Sequence, residues 1–338
     1  MSESANPKLT PAPPLPLTPS PHPLLALCIR LPGNEINDLV AAECAALTGG
    51  RPDADGVAFC DTLERIPQAA YVRTGVRRLV YAPSFEELLD VLREARLDLP
   101  DFRIFSLELS ARFPLPSHEA IVAAADQILT RPNLTQPRHR CLLVAQAGNF
   151  WLGEILAEST QSHARHARKP YHVSSSLDAR IARALVNLVA PPARSLIDPC
   201  CGTGSILLEA HALGLETYGA DYNPKLMSKA RRNLEHFGYP PRVDRADARV
   251  WSRTADALVT DLPYGHRLES VDAILPDILA HAIQLAPVAI YVAGDNLAPQ
   301  LAAAGYTDIE VLRIVKHNSF IRYVHRAKSG SADQRESE

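Results

Sequence analysis

Two short segments carry residue types suited to moving a methyl group onto a flat heterocycle. The first is Asp261, Leu262, Pro263, Tyr264 and Gly265, which follow an apolar run at 255–260 that reads as a strand. An exocyclic amine on a purine or pyrimidine is a poor nucleophile, because its lone pair is delocalised into the ring. The Asp261 carboxylate and the Leu262 or Pro263 carbonyl would accept the two amine hydrogens, favouring a pyramidal nitrogen whose lone pair points at an electrophilic methyl. Asp261 would also take the departing proton. Pro263 stiffens the turn through its fixed φ, Tyr264 offers a face on which a base can stack, and Gly265 permits close approach. Taken alone, such a tetrapeptide is more often a strand-ending turn. The motifs upstream reverse that balance.

The second segment is Asp198-Pro199-Cys200-Cys201-Gly202-Thr203-Gly204. An apolar run at 195–197 reads as the first strand of a parallel sheet, Asp198 ends it, Gly202 and Gly204 make a tight turn, and 206–213 continues as a helix. Backbone amides in such a loop approach a ligand closely. The zwitterionic end of a methyl donor would lie over it, with Asp198 near the ammonium and Cys200 and Thr203 beside the loop. A dinucleotide loop would need a third glycine where Leu207 stands, and a phosphate loop would need Gly-Lys-Ser/Thr, which is absent. A second strand, 215–221, ends in Asp221 roughly 20 residues beyond the loop, where an acid binds ribose hydroxyls in related sites; Tyr222 follows it. After a strand around 242–243, Asp247 would accept from an adenine amine and Ala248 would leave room for the ring, with Asp244 as a register neighbour. Asp247 alone is equally well a helix cap. Three acids at successive strand ends, however, face one crevice. The donor these residues imply is S-adenosylmethionine, and the chemistry is N-methylation of a base.

The stretch from Tyr171 to Tyr264 resembles the archaeal and eukaryotic tRNA guanine-N2 methyltransferases that act on guanosine 10. The matching residues are 179–188 (Ala-Arg-Ile-Ala-Arg-Ala-Leu-Val-Asn-Leu), 198–210 and 260–265. The resemblance implies an α/β, Rossmann-like class I methyltransferase domain with an N-terminal α+β THUMP-like domain, tRNA as the partner and the cytoplasm as the location. Family members commonly read Asp-Pro-Pro-Tyr, so Leu262 is a departure that removes one stiffening ring and keeps carboxylate, carbonyl and aromatic. Cys200 stands where the family has an aromatic, a change of packing more than of chemistry. Other acceptors of the same reaction are an rRNA guanine or a DNA adenine or cytosine amine. The rival class is a catalytically silent RNA-binding or assembly protein, against which the presence of Asp198, Gly202, Gly204, Asp221, Asp261 and Tyr264 argues.

Composition sets the frame. A chain of 338 residues has room for about two domains. No apolar stretch reaches membrane-spanning length, so a soluble protein, compatible with a monomer, is expected. Residues 1–23 are rich in Pro and Ser without a basic-then-apolar pattern, which predicts a disordered or polyproline arm and not a signal peptide; 329–338 reads as a polar tail. Cysteines at 28, 44, 60, 141, 200 and 201 form no pair of C-x-x-C motifs, which argues against a zinc ribbon or a disulfide framework and for reduced thiols. His163 and His166 at metal-like spacing lie among Arg165, Arg168 and Lys169, so a solvated basic linker over 159–177 is the expectation, with no metal. The net charge of −3 advertises no polyanion partner globally; local patches at 163–169, 225–232 and 313–328 would have to supply contacts.

The first half, 24–158, alternates strands and helices: strands at 24–31, 68–81 and 102–111, helices at 35–47, 84–96 and 117–130, and a hairpin of 140–147 with 149–158 around Gly148. Ser84 with Glu87 makes a capping box. This predicts a THUMP-like module behind a short leading domain. The second half, 178–328, reads as a helix at 178–189, alternating strands and helices, a strand at 287–292, a helix at 297–304, and strands 309–315 and 319–326 joined too tightly for a parallel crossover. An antiparallel last strand follows. The two halves are expected to divide labour, the first gripping RNA and the second holding the donor as a separable unit.

Overall fold

The computed structural model describes residues 23–29, 38–262, 269–317 and 320–330. The expected arm up to residue 22, the expected tail from residue 331 on, and Pro263, Tyr264 and Gly265 lie outside them; Ser329, expected to open that tail, is instead buried at the end of the last strand.

Strands β1 (Leu24–Cys28), β2 (Val57–Cys60), β3 (Val72–Ala82), β4 (Phe102–Glu108), β5 (His139–Gln146) and β6 (Asn149–Glu158) form one sheet in the order β2-β1-β3-β6-β5-β4. Helices α1 (Asp38–Thr48), α2 (Phe85–Ala95) and α3 (Ser117–Ala125) connect them. Ser84 caps α2, its hydroxyl accepting from Glu87 N and donating to Glu87 Oε1, and Gly148 closes the β5–β6 hairpin at φ +66°. The leading segment is not a separate domain, because β1 pairs antiparallel with both β2 and β3. The four-residue β2 escapes sequence periodicity, being too short to show alternation.

The second sheet joins β7 (Ser195–Asp198), β8 (Glu216–Asp221), β9 (Val243–Arg245), β10 (Ala257–Asp261), β11 (Val288–Ala293), β12 (Tyr306–His317) and β13 (Phe320–Ser329) in the order β12-β13-β11-β10-β7-β8-β9. Between them run α4 (Ala179–Asn187), α5 (Ser205–Ala212), α6 (Pro224–His236), α7 (Glu269–Ala282) and α8 (Ala298–Ala303). Strands β7 to β11 are mutually parallel, while β13 is antiparallel to β11 and β12, so the expected antiparallel last strand is present. Strand order reverses between β7 and β10. A crevice opens at such a point, outside the carboxyl ends.

Segment 159–177 departs from expectation. Residues Ser162–Arg168 form a 3-10 helix in which His163 and His166 are buried, as is Lys169 after it. Arg165, Arg168 and His172 keep the wet character that the basic composition suggested. The cause is Glu209 of α5, fully buried, which holds His166 Nδ1 and Arg183 Nε at 2.7 Å each.

The halves also share one core. Leu39, Val40 and Leu47 of α1 belong to the same apolar cluster as Leu185, Leu196, Ile290 and Leu312 of the second half. Within it Glu43, fully buried, accepts from Ala70 N (2.8 Å), Tyr71 N (2.7 Å) and Asn187 Nδ2 (2.7 Å). A seam of this kind is a domain core and not a tether, and it removes the physical basis for separable halves.

Candidate active site

The glycine loop forms where β7 ends. Asp198 is 1% exposed, and its Oδ1 accepts from Cys200 N at 3.2 Å and from Thr260 Oγ1, on the neighbouring β10, at 2.7 Å. Burial pushes its pKa up to about 8, and the negative charges of Asp261 and Asp221 add to the rise. Gly202 and Gly204 adopt φ of +53° and +82°, which disfavours other residues, and the space where a Gly202 side chain would stand is open among the described residues. Asp221 ends β8 and fastens the loop from the side: its Oδ2 accepts from Gly202 N at 2.9 Å and its Oδ1 from Asn223 N at 2.8 Å. Burial raises its pKa too. Thr203 is held from behind, its hydroxyl 3.0 Å from Ser176 Oγ and its carbonyl accepting from Asn233 Nδ2 at 2.9 Å.

On the turns after β8 and β9 the character changes. Tyr222 and Val250 are each 73% exposed, the large apolar side chains left bare in the described residues of the second half. Between them Asp247 makes a turn, its carboxylate accepting from Arg249 N (2.9 Å), from Arg249 Nε (3.1 Å to each oxygen) and from Arg249 Nη2 (2.6 Å). These bonds, with the guanidinium charge, hold Asp247 below the usual carboxylate range. Ala248 is buried beside it. Asp244, the register neighbour, instead accepts from Trp251 Nε1 at 3.0 Å. Exposed apolar side chains on the same two turns as a carboxylate suit a purine with an exocyclic amine.

Asp261 ends β10, in register with Val292 of β11. Leu262 donates its N–H to Val292 O at 3.0 Å and buries its side chain, which fixes the direction in which the chain leaves the strand. The charge of Asp261 is felt at Asp198, and Cys200, its thiol pushed up by burial, lies in the fields of Asp198, Asp221 and Asp247 together. The parallel sheet therefore brings Asp198, Asp221 and Asp261 to the same carboxyl end of neighbouring strands. Burial also makes Cys200 a packing residue, since a thiol held protonated is no nucleophile. Tyr323 of β13 pairs with Ala293, the last residue of β11. Sequence reasoning missed Thr260, Ser176, Asn233, Arg249 and Val250. None belongs to a motif with a spacing of its own, and Asn233 lies on a helix that reads as a charged, wet face.

Residues 165–284 match UPF0020, the RMKL-like methyltransferase domain. A tRNA (guanine(10)-N2)-dimethyltransferase of Methanothermobacter thermautotrophicus is 38% identical over 123 residues, covering 34% of this chain and 37% of that protein. The tRNA (guanine(10)-N2)-dimethyltransferase of Pyrococcus abyssi is 35% identical over 144 residues, covering 40% of this chain and 43% of that protein. The chain thus matches less than half the length of these relatives. The crystal structure of TrmN from Thermus thermophilus superposes with a TM-score of 0.53 at 21% identity, covering 91% of this chain and 100% of that one. The fold of the second half is that of the class I methyltransferases, and the resemblance to the guanine-N2 methyltransferases is borne out. S-adenosylmethionine is the cofactor that this domain implies, and the open glycine loop, the buried acids and the exposed Tyr222 and Val250 fit its three parts.

Proposed function

We propose that this chain is an S-adenosylmethionine-dependent RNA methyltransferase acting on the exocyclic N2 amine of guanosine, with guanosine 10 of tRNA as its position. The observation that supports it most is geometric: Thr260, the residue before Asp261 on β10, donates its hydroxyl to Asp198 Oδ1 at 2.7 Å across the β7–β10 pair, so an amine acceptor stands one strand from the donor loop. The bound donor supplies a methyl on a sulfonium. Asp261 accepts an amine hydrogen and Leu262 or Pro263 lends a carbonyl, which localises the nitrogen lone pair for attack on that methyl. With the donor bound, the nitrogen would take the methyl as the carbon–sulfur bond breaks to leave a neutral thioether, and Asp261 or water would receive the surplus proton. Tyr264 stacks the base once it has swung out of its helix. The catalytic residues in this reading are Asp261, Leu262, Pro263 and Tyr264; Asp198, Cys200, Gly202, Thr203, Gly204, Asp221, Tyr222, Asp247 and Ala248 hold the donor. The first half acts as the THUMP-like RNA grip.

Nucleoside mass spectrometry of unmodified tRNA incubated with protein and donor tests the proposal. N2-methylguanosine is the expected product, and mapping by fragment digestion is expected to place it at guanosine 10. Methyl on an adenine or cytosine amine, or none from a protein that binds donor, would defeat it.

A further inference from the structure

Lys169 is 7% exposed, although it belongs to a stretch whose composition suggests a wet surface. Its Nζ donates to Ser205 Oγ at 2.5 Å, and Ser205 is the first residue of α5, directly after Gly204 of the donor loop. Ser205 Oγ in turn donates to Leu177 O at 2.8 Å. The segment around Lys169 lies against that loop along its length. Asn233 Nδ2 donates both to Tyr171 O (2.6 Å) and to Thr203 O (2.9 Å), while Ser176 Oγ meets Thr203 Oγ1 at 3.0 Å.

An ammonium in this position is electrostatically misplaced. Burial penalises it unless an anion compensates, and the first turn of a helix presents the positive end of the helix dipole. Two carboxylates send their fields to Lys169, Asp178 and Glu209. Both are committed elsewhere: Glu209 to His166 and Arg183, and Asp178 to the first amides of α4. Among the described residues no carboxylate comes within ion-pair distance of Lys169 Nζ. Burial accordingly pushes its pKa down to about 8.

We propose that Lys169 is a donor-binding residue whose ammonium receives the carboxylate of the methionine end of S-adenosylmethionine at the glycine loop. This rests on the methyl-donor reading above. The carboxylate is the only anion that donor carries, its sulfonium and ammonium being cations and its adenosine neutral, so the chemistry leaves one choice of partner.

The test is a cycle between one side chain and one ligand group. Calorimetry would measure S-adenosylmethionine and its decarboxylated form, which keeps sulfonium and ammonium, against the wild-type chain and Lys169→Met. The wild-type protein is expected to bind the decarboxylated form roughly tenfold to a hundredfold more weakly. Lys169→Met should bind the two ligands nearly alike. An equal loss of both ligands in Lys169→Met would make the lysine merely structural and overturn the proposal. Should that variant not fold, Lys169→Gln takes its place in the same cycle, and equal affinity of the wild-type protein for the two ligands would overturn the proposal in either case. A wild-type chain that binds neither ligand would sink the methyl-donor reading itself, a distinct failure.

Discussion

The two walls of the proposed donor crevice are built on opposite principles. On the glycine-loop side every turn is fastened: Asp198, Thr203 and Ser205 are buried, and Asn233, fully buried, ties α6, the loop and the segment at Tyr171 together. On the other side Tyr222 and Val250 stand in solvent on the turns after β8 and β9, where Asp247 also lies with its partner Arg249, a solvent-exposed guanidinium. A charged ligand end needs fixed dipoles and little reorganisation, whereas a flat ring needs only two apolar faces that can close on it. Preorganisation therefore sits at the charged end of the site and adaptability at the flat end.

If the fastened wall draws its rigidity from the whole molecule, removing residues 1–158 should have the largest effect of any change. The loss would bare the α4 face that α1 covers and strip Asn187 and Arg183 of Glu43 and the Gln68 carbonyl. The expected outcome is a fragment without a cooperative thermal transition and without donor binding by calorimetry. A soluble, donor-binding fragment would break the comparison. A milder version is Glu43→Ala, which leaves the Ala70 and Tyr71 amides buried without an acceptor and should cost about 2 to 4 kcal/mol in denaturant titration.

Asp261 lies between the walls, and its change should spare binding and remove turnover. Asp261→Ala takes away an acceptor used in the transition state, so single-turnover methylation under saturating donor and tRNA should fall by several orders of magnitude while both affinities hold. Asp261→Asn separates two roles. It keeps an acceptor oxygen without charge or proton affinity, so substantial residual rate would mark Asp261 as a positioner of the amine, and a dead variant would mark it as the base.

Asp221 belongs to the fastened wall through Gly202 and to the open one through Tyr222. Asp221→Ala should weaken donor binding by roughly 1 to 3 kcal/mol, since it removes both a ribose acceptor and the clasp on the glycine loop. Unchanged affinity in calorimetry would take Asp221 out of the site.

What the sequence made legible follows the same division. Asp198, Gly202, Gly204, Asp221 and Asp261 could be read because a parallel sheet sets its chemistry at strand ends, where an apolar run stops at an acid or a glycine. The Ser84 cap and the β5–β6 hairpin were legible because local backbone needs dictate them. Lys169, His163 and His166 were not, since burial of a basic residue depends on what packs over it from afar, here Glu209 on α5. Glu43 was hidden for the same reason. Its partners lie 27, 28 and 144 residues away in the chain, and no local pattern marks a buried acid.

The exposed wall supplies the smallest expected effect and the most direct check on its adaptability. Arg249 holds Asp247 below its ordinary range, so the carboxylate stays ionised through the neutral region with or without that partner. The sign follows from linkage: a depressed acid contributes stability above its ordinary value of 3.8 and loses it as pH falls through the lowered one, so the contribution is fully present, and flat with pH, near pH 7. An exposed ion pair is also weakly held. Arg249→Ala should therefore lower the melting temperature at neutral pH only slightly and leave donor affinity within about a factor of two. Tyr222→Ala, by contrast, removes an apolar face from the purine and should weaken the donor by roughly 1 kcal/mol. If calorimetry instead shows a marked gain in affinity for Arg249→Ala, the guanidinium is a plug that the purine must displace, and the open wall would have to be redrawn as a closed one.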